Sequence, residues 1–154
     1  MHSFYLRNLY LKNLLRKPGG ITLAGTPIDI TKVKTPAYFI STVEDHIAPW
    51  QSTYAGARLL QGPVRFVLGG SGHIAGIINP PAANKYGYWS NEKLAAKPDD
   101  WLAGATQHAG SWWTDWSKWV AKHSGKKTGG RKPGKGKHKG MEDAPGSYVQ
   151  QRIG

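Results

Sequence analysis

Two short apolar runs, at residues 37–42 and 64–68, flank a segment at 50–60 whose pattern favours a helix. Short, mostly apolar runs are typical of strands that a parallel sheet buries on both faces. A strand, a helix and a strand in this order form a βαβ unit, whose crossover is right-handed by default. The sequence therefore predicts an α/β fold in which both strands end at the same edge of one sheet, where such folds place their functional groups.

An acid follows the first predicted strand and a histidine follows the second. These residues are Asp45 and His73. An acid and then a histidine, each at the end of a strand, is the order in which α/β hydrolases place the last two members of a catalytic triad. We therefore predict that His73 is a general base and that Asp45 accepts a hydrogen bond from one of its ring nitrogens. The alternatives are a structural histidine and a carboxylate that caps the helix near Pro49.

Two neighbours of Asp45 suggest other chemistry. Glu44 competes for the role of the acid. His46, together with Asp45 and His73, suggests a metal site, but this spacing matches no common ligand motif and adjacent side chains of an extended segment point apart. We therefore predict a packing or supporting role for His46, with no metal and no cofactor. The glycines at 69–72 match no phosphate-binding pattern and are predicted to let the loop pass close to the site.

The nucleophile of such a triad is missing from the sequence. The chain contains no Cys, and no Gly-x-Ser-x-Gly precedes Asp45. The lack of Cys also excludes disulfides and Cys-ligated metal sites. Because this type of triad places its nucleophile before the acid, the chain is expected to be the C-terminal part of an enzyme and to be inactive by itself.

Two longer helices are predicted outside the βαβ unit, and a short one is predicted to begin at Pro98. The first begins at Ser3 and runs to about Lys17, and the second is capped by Ser111 and runs over residues 112–122. Between them, residues 21–30 are expected to form a loop with a short extended piece. One face of the second helix carries Trp112, Trp116 and Trp119, a stripe that is predicted to lie in the core rather than on a ligand.

The positive charge of the chain is concentrated near its end. The net charge is +12, and residues 125–140 contain seven Lys and Arg and no acid. We predict a catalytic part at 1–124, a disordered basic Gly-rich linker at 125–140 and a tail at 141–154. The linker could bind nucleic acid or an anionic surface by counterion release, but it has no aromatic residue for base stacking. A solvated linker is therefore the preferred interpretation, and no specific nucleic-acid partner is predicted.

Membrane and export signals are absent from the sequence. No apolar run approaches the length of a membrane span, and no signal peptide begins at Met1. A transmembrane segment is therefore not predicted.

Several longer blocks resemble one enzyme family. Asp-His-Ile-Ala-Pro-Trp at 45–50 and Gly-Gly-Ser-Gly-His-Ile-Ala-Gly-Ile-Ile-Asn-Pro-Pro at 69–81 are similar to the C-terminal part of class I poly(3-hydroxyalkanoate) synthases, the poly-β-hydroxybutyrate polymerases. The resemblance covers nearly everything except residues 125–140. Further matching blocks lie at 4–10, 101–105, 110–113 and 144–149.

The resemblance implies the C-terminal portion of an α/β-hydrolase fold, with its last parallel strands and helices, and a Cys-His-Asp triad. Its Cys lies in a Gly-x-Cys-x-Gly motif that this chain lacks. By matching motif, His73 activates the Cys thiol, and Asp45 either orients His73 or helps to activate the hydroxyl of the incoming unit. The implied substrates are (R)-3-hydroxyacyl-CoA thioesters, which are joined into a polyester with release of CoA. Family members are implied to act as homodimers at the surface of cytoplasmic storage granules.

Two other functions remain open at this stage. Another α/β hydrolase, such as a thioesterase or a depolymerase, would share the order of acid and histidine but should lack the block at 69–81. A non-catalytic granule-binding protein would use the Trp face and the basic stretch for attachment.

Overall fold

The computed structural model describes residues 1–132 and 134–153. The chain divides into two compact units, Met1–Lys122 and His123–Gly154. The first unit contains all six strands that the described residues form.

The chain begins with a short, irregular helical segment. Helix α1, His2–Tyr5, continues as a π-helical stretch at Leu6–Leu11, and a 3-10 turn follows at Leu14–Arg16. The sequence predicted one helix over this whole segment, which is wrong. Asn13 lies in the left-handed region with φ of 45° and interrupts the helix there, a conformation that Asn adopts more readily than most residues.

A small hairpin follows where a loop was predicted. Strands β1, Ile21–Leu23, and β2, Thr26–Ile28, pair antiparallel. The two residues between them, Ala24 and Gly25, both have positive φ, at 46° and 77°. Positive φ at both central positions is the condition for the type I′ turn that matches the twist of paired strands.

The predicted βαβ unit is present. Strand β3, Ala37–Thr42, leads into helix α2, Trp50–Ala57, and then into strand β4, Val64–Gly69. The two strands pair in parallel over their full length. The helix is shorter than expected from the pattern at 50–60, and the chain after it turns before β4.

Two further strands extend the sheet, and the sequence did not predict them. Strands β5, Tyr88–Ser90, and β6, Thr106–His108, lie antiparallel, so that the order β3-β4-β5-β6 is a mixed sheet. Helix α3, Pro98–Ala103, lies between them in the chain, and helix α4, Trp113–His123, follows β6. The predicted parallel strands are therefore β3 and β4, and the two additional strands, which are too short to show a pattern, make the sheet mixed.

Each face of the sheet packs against its own cluster of aromatic residues. On one face the buried members are Trp50, Tyr54, Ala57, Phe66, Leu68 and Trp101. On the other face they are Val67, Tyr88 and Trp112. Trp112 is thus in the core, as predicted for the Trp stripe, but Trp116 is 43% exposed, so that only part of the stripe is buried.

An ion pair links α4 to the sheet. The Arg65 guanidinium donates to both carboxylate oxygens of Asp115, at 2.7 and 2.6 Å, and the Tyr38 hydroxyl donates to one of them at 2.9 Å. Burial raises the pKa of Asp115, but the hydrogen bonds from Arg65 and Tyr38 outweigh it and hold this pKa below its ordinary value. Because the pair is mostly buried and forked, it fixes the position of α4 along β4.

The second unit contains one short helical element among its described residues. This is the 3-10 turn at Tyr148–Gln150. Residues 125–132 and 134–140 form neither helix nor strand and are exposed. Disorder of the linker at 125–140 stays a prediction, and Pro133 in this linker and Gly154 in the predicted tail lie outside the described residues.

Of the helices in the described parts of the chain, none is both long and apolar enough to cross a membrane.

Candidate active site

Asp45 lies in the turn between β3 and α2, and its two carboxylate oxygens have different partners. Oδ1 accepts hydrogen bonds from the backbone N–H groups of Ile47 and Ala48, both at 2.9 Å. Oδ2 lies 2.8 Å from Nδ1 of His73. The predicted contact with His73 is therefore present. The alternative helix cap is not, because the N–H groups of Ile47 and Ala48 precede α2, which begins at Trp50 and has no side-chain cap.

His73 reaches Asp45 because of the parallel pairing. Strand β4 ends at Gly69, next to the end of β3, and the segment after it, residues 70–80, is called the histidine loop. The side chain of Asp45 is 8% exposed and that of His73 is 47% exposed. The pair predicted from the sequence is thus brought into contact, with the acid inside and one side of the imidazole open to a reacting group.

The charge on Asp45 determines which nitrogen of His73 carries a proton. The hydrogen bond from the Ala48 N–H, and next the one from His73, lower the pKa of Asp45 to about 2. An ionised carboxylate only accepts hydrogen bonds, so Nδ1 must donate. In the neutral ring, Nε2 is then the basic nitrogen, and no described residue forms a hydrogen bond with it.

We predict that Asp45 titrates well below an ordinary aspartate. Its folded pKa is about 2, whereas the unfolded value is about 3.9. The stabilisation from its bonds is therefore present above about pH 4 and is lost as the pH falls toward 2. The ¹³Cγ shift of Asp45 should show a midpoint near 2, and His73→Gln should raise it only in part, because the Ala48 bond remains. A wild-type midpoint near 4 would contradict this geometry.

Close backbone packing holds the histidine loop against the end of β3. A Cβ atom at Gly76 would overlap the carbonyl oxygen of Gly70 and the methyl group of Thr42. One at Gly70 would overlap the carbonyl oxygen of Tyr86. The predicted role of the glycines at 69–72, to let the chain pass closely, therefore applies to Gly70 and extends to Gly76, which the sequence did not single out.

Three side chains around the start of α4 anchor the same loop. Each donates a hydrogen bond to a backbone carbonyl of the histidine loop. The bonds run from Trp112 Nε1 to Gly76 O at 3.0 Å, from Trp113 Nε1 to Ile77 O at 3.0 Å and from Ser111 Oγ to Asn79 O. Sequence reasoning assigned these residues to the core or to a helix cap, and no pattern in the sequence indicates which carbonyl an indole N–H will reach.

We predict that Gly76→Ala destabilises the fold and displaces His73. Gly76 has no positive φ, so alanine is conformationally allowed there and the effect is steric. Overpacking of this kind costs about 1–3 kcal/mol of unfolding free energy, which urea titration measures. Gly56→Ala is the matched control, because a Cβ there meets nothing within 4 Å and the site is helical, so that a small gain in stability is expected. Equal unfolding free energies for the two variants would contradict the packing described here.

An apolar cavity of about 270 Å³ adjoins the histidine loop. It is lined by Ile77, Ile78, Trp112, Trp113 and Trp116. The indole N–H groups of Trp112 and Trp113 are already bonded to the loop, so these rings present mainly their carbon surface to the cavity. The cavity therefore suits an apolar group.

The two neighbours of Asp45 do not take its place. The backbone N–H of Glu44 donates to Ser71 O at 3.1 Å, while His73 bonds to Asp45. His46 is exposed, and the described residues include no group of three or more His, Asp or Glu side chains that could hold a metal ion.

Comparisons with known proteins give the family to which the chain is related. It is 46% identical over 153 residues to the poly(3-hydroxyalkanoate) polymerase subunit PhaC of Cupriavidus necator, and 47% identical over 152 residues to that of Rhizobium meliloti. A poly(3-hydroxyalkanoate) polymerase of Ectopseudomonas oleovorans is 40% identical over 148 residues. The first two matches cover 99% of this chain and the third covers 96%. No family model matches the chain.

The chain spans about a quarter of the length of the curated relatives it matches, namely 26%, 24% and 26% of these three. The matched region is their C-terminal part. The resemblance found in the sequence is thereby confirmed.

Proposed function

We propose that this chain, a homologue of the poly(3-hydroxyalkanoate) polymerases over 99% of its length, supplies the base and the orienting acid of a polyester synthase. The reaction would be that of the class I enzymes, which join (R)-3-hydroxyacyl groups from CoA thioesters. The observation that carries the proposal is the 2.8 Å contact between Asp45 Oδ2 and His73 Nδ1 at the carboxyl ends of β3 and β4. The fold around it is proposed to be the last part of an α/β-hydrolase domain.

The proposed chemistry has two acyl transfers. In the first, His73 Nε2 takes the proton of a Cys thiol from a preceding part of the enzyme, and the thiolate attacks the thioester carbonyl. The bond between the acyl carbon and the CoA sulfur breaks, and the CoA thiolate takes the proton from His73. In the second, the hydroxyl of another hydroxyacyl unit gives its proton to His73 and attacks the acyl-Cys. The ester forms, the bond between the acyl carbon and the Cys sulfur breaks, and the Cys thiolate takes the proton back from His73.

Asp45 is proposed to orient His73 rather than to act on the substrate hydroxyl. Its Oδ2 is taken by His73, its Oδ1 accepts two backbone N–H groups, and its side chain is 8% exposed. A carboxylate with both oxygens engaged holds the imidazole in one tautomer and stabilises the imidazolium that forms.

The remaining parts of the proposal concern the whole enzyme. Action as a homodimer at the surface of cytoplasmic polyester granules follows from the resemblance alone. The apolar cavity beside the histidine loop is suited to the acyl chain, since its lining is built from Ile and Trp side chains. By itself, the chain is proposed to be inactive because it contains no Cys.

A chimera tests the proposal directly. This chain would replace the matched C-terminal part of the Cupriavidus necator polymerase, and CoA release from 3-hydroxybutyryl-CoA would be measured with a thiol reagent. The chimera should release CoA and form polymer, and the isolated chain should do neither. His73→Gln should abolish release, whereas His46→Gln, which alters the exposed neighbouring histidine, should leave it nearly unchanged.

The products distinguish this proposal from its alternatives. Full activity of the His73→Gln chimera would show that another group is the base. Release of CoA with free 3-hydroxybutyrate and no polymer would indicate a thioesterase. Circular dichroism of each variant would confirm that loss of activity is not loss of fold.

A further inference from the structure

The basic segment, residues 125–140, has no role in the proposed reaction. Its seven Lys and Arg residues are unaccompanied by any acid. All seven are exposed, and within the described residues none of them forms an ion pair. Seven uncompensated charges in so short a stretch repel one another, so a polyanion that binds them removes this repulsion and releases its own counterions.

The composition of the basic segment restricts which polyanion it fits. It contains only Gly, Lys, Arg, Thr, Pro and His, with no aliphatic residue and no Phe, Trp or Tyr. Without apolar side chains it lacks the second signal that stable attachment to a lipid surface requires. Without aromatic rings it cannot stack on the bases of a single strand. The remaining mode of binding is electrostatic attraction to a polyanion with closely spaced phosphates.

The basic segment is long enough to contact many phosphates of one polyanion. Fully extended, sixteen residues reach roughly 55 Å, and double-stranded DNA carries one phosphate charge per about 1.7 Å of its axis. Glycines separate the cations at several places, which gives much of the backbone the conformational freedom to follow a curved groove edge. All seven cations can therefore reach phosphates of one duplex at the same time.

We propose that the basic segment binds double-stranded nucleic acid through its phosphates, without reading base sequence. The side chains that carry the interaction are Lys126, Lys127, Arg131, Lys132, Lys135, Lys137 and Lys139. This interaction is independent of the site at Asp45 and His73.

Binding of the full chain to a 30-bp DNA duplex, followed by fluorescence anisotropy over a range of salt, tests the proposal. Seven phosphate contacts predict a slope of about −6 for log K against log salt, and hence a loss of about 4 × 10³-fold in affinity between 50 and 200 mM. Changing all seven cations to Gln should remove about 6 from the slope. Two duplexes of unrelated sequence should bind equally.

Two control variants distinguish an effect of the charges in the basic segment from an effect of the net charge of the whole chain. Exchanging Lys for Arg and Arg for Lys at the seven positions should keep the affinity. A second control removes the same total charge from exposed lysines of the first unit by changing to Gln Lys12, Lys17, Lys34, Lys85, Lys93, Lys97 and Lys118. This control should weaken binding by less than about tenfold.

Three results would overturn the proposal. Equal loss in the two charge-removal variants would show that net charge alone is responsible. Tighter binding to vesicles with 30% anionic lipid than to the duplex would assign the basic segment to a membrane surface. Tighter binding to a single strand of the same length would require base stacking.

Discussion

Replacing Asp45 by Asn is expected to lower CoA release by the chimeric synthase about 10⁴-fold, the scale at which a triad with the wrong histidine tautomer fails. The substitution keeps the size and shape of the side chain. The expected loss therefore comes from the pattern of donors and acceptors around Asp45 and not from packing.

The backbone determines how an amide would sit at this position. The N–H groups of Ile47 and Ala48 point at Oδ1, so the carbonyl oxygen of the amide must stay there. Its NH₂ group then faces Nδ1 of His73 in place of Oδ2. Nδ1 must become an acceptor, the proton moves to Nε2, and the nitrogen that should take the proton of the Cys thiol can no longer accept it.

The tautomer is measurable in the isolated chain. The ¹⁵N shifts of His73 should report a proton on Nδ1 in the wild type and on Nε2 in Asp45→Asn at a pH where the ring is neutral. Glu44→Gln is the matched control, since it changes the neighbouring acid and should leave both tautomer and chimera activity unchanged. If Glu44→Gln caused the larger loss of activity, the acid of the site would be Glu44.

Truncating Trp101 is expected to remove a large share of the stability of the chain. Trp101 is fully buried, and its ring lies 5.0 Å from that of Phe66, 5.7 Å from that of Tyr54 and 6.2 Å from that of Trp50, between centroids. Trp101→Ala should cost about 3–5 kcal/mol of unfolding free energy, because it removes these contacts and leaves a cavity. Native domains are stable by only about 5–15 kcal/mol.

Trp101→Phe separates the contribution of the ring contacts to stability from that of the indole N–H group. The indole Nε1 of Trp101 is buried and has no hydrogen-bond partner among the described residues. Phe keeps most of the aromatic packing and removes this unpaired donor, so a cost below about 1.5 kcal/mol is expected. Urea unfolding measures both variants. A cost for Phe as large as that for Ala would show that the loss comes from the N–H, which both variants lack, and that the packing argument is wrong.

The sequence predicted the central part of the fold because the pattern there is long and the physical rule is simple. Two apolar runs around a helical segment permit few arrangements other than a βαβ unit. Once β3 and β4 are parallel, residues after their carboxyl ends must come close together. The contact between Asp45 and His73 was therefore predictable without any knowledge of the loops.

No comparable physical rule predicts the parts of the fold that the sequence did not indicate. Strands β5 and β6 contain three residues each, which is too short for alternation to be recognised. Their place in the sheet depends on tertiary pairing, of β5 with β4 and of β6 with β5. The anchoring of the histidine loop by Trp112 and Trp113 depends on where α4 packs, and periodicity assigns such residues only to a face of the helix.

The overlap that a side chain at Gly76 would create also limits how the site can evolve. A Cβ at Gly76 would meet the methyl group of Thr42, which a smaller residue at 42 would remove, and the carbonyl oxygen of Gly70, which belongs to the backbone and stays whatever residue stands there. A smaller residue at 42 should therefore offset only part of the cost of a side chain at 76, and the effects of these two substitutions should not add. Laboratory evolution of this region should therefore retain glycine at 70 and 76, where a side chain would overlap backbone atoms, and vary other positions.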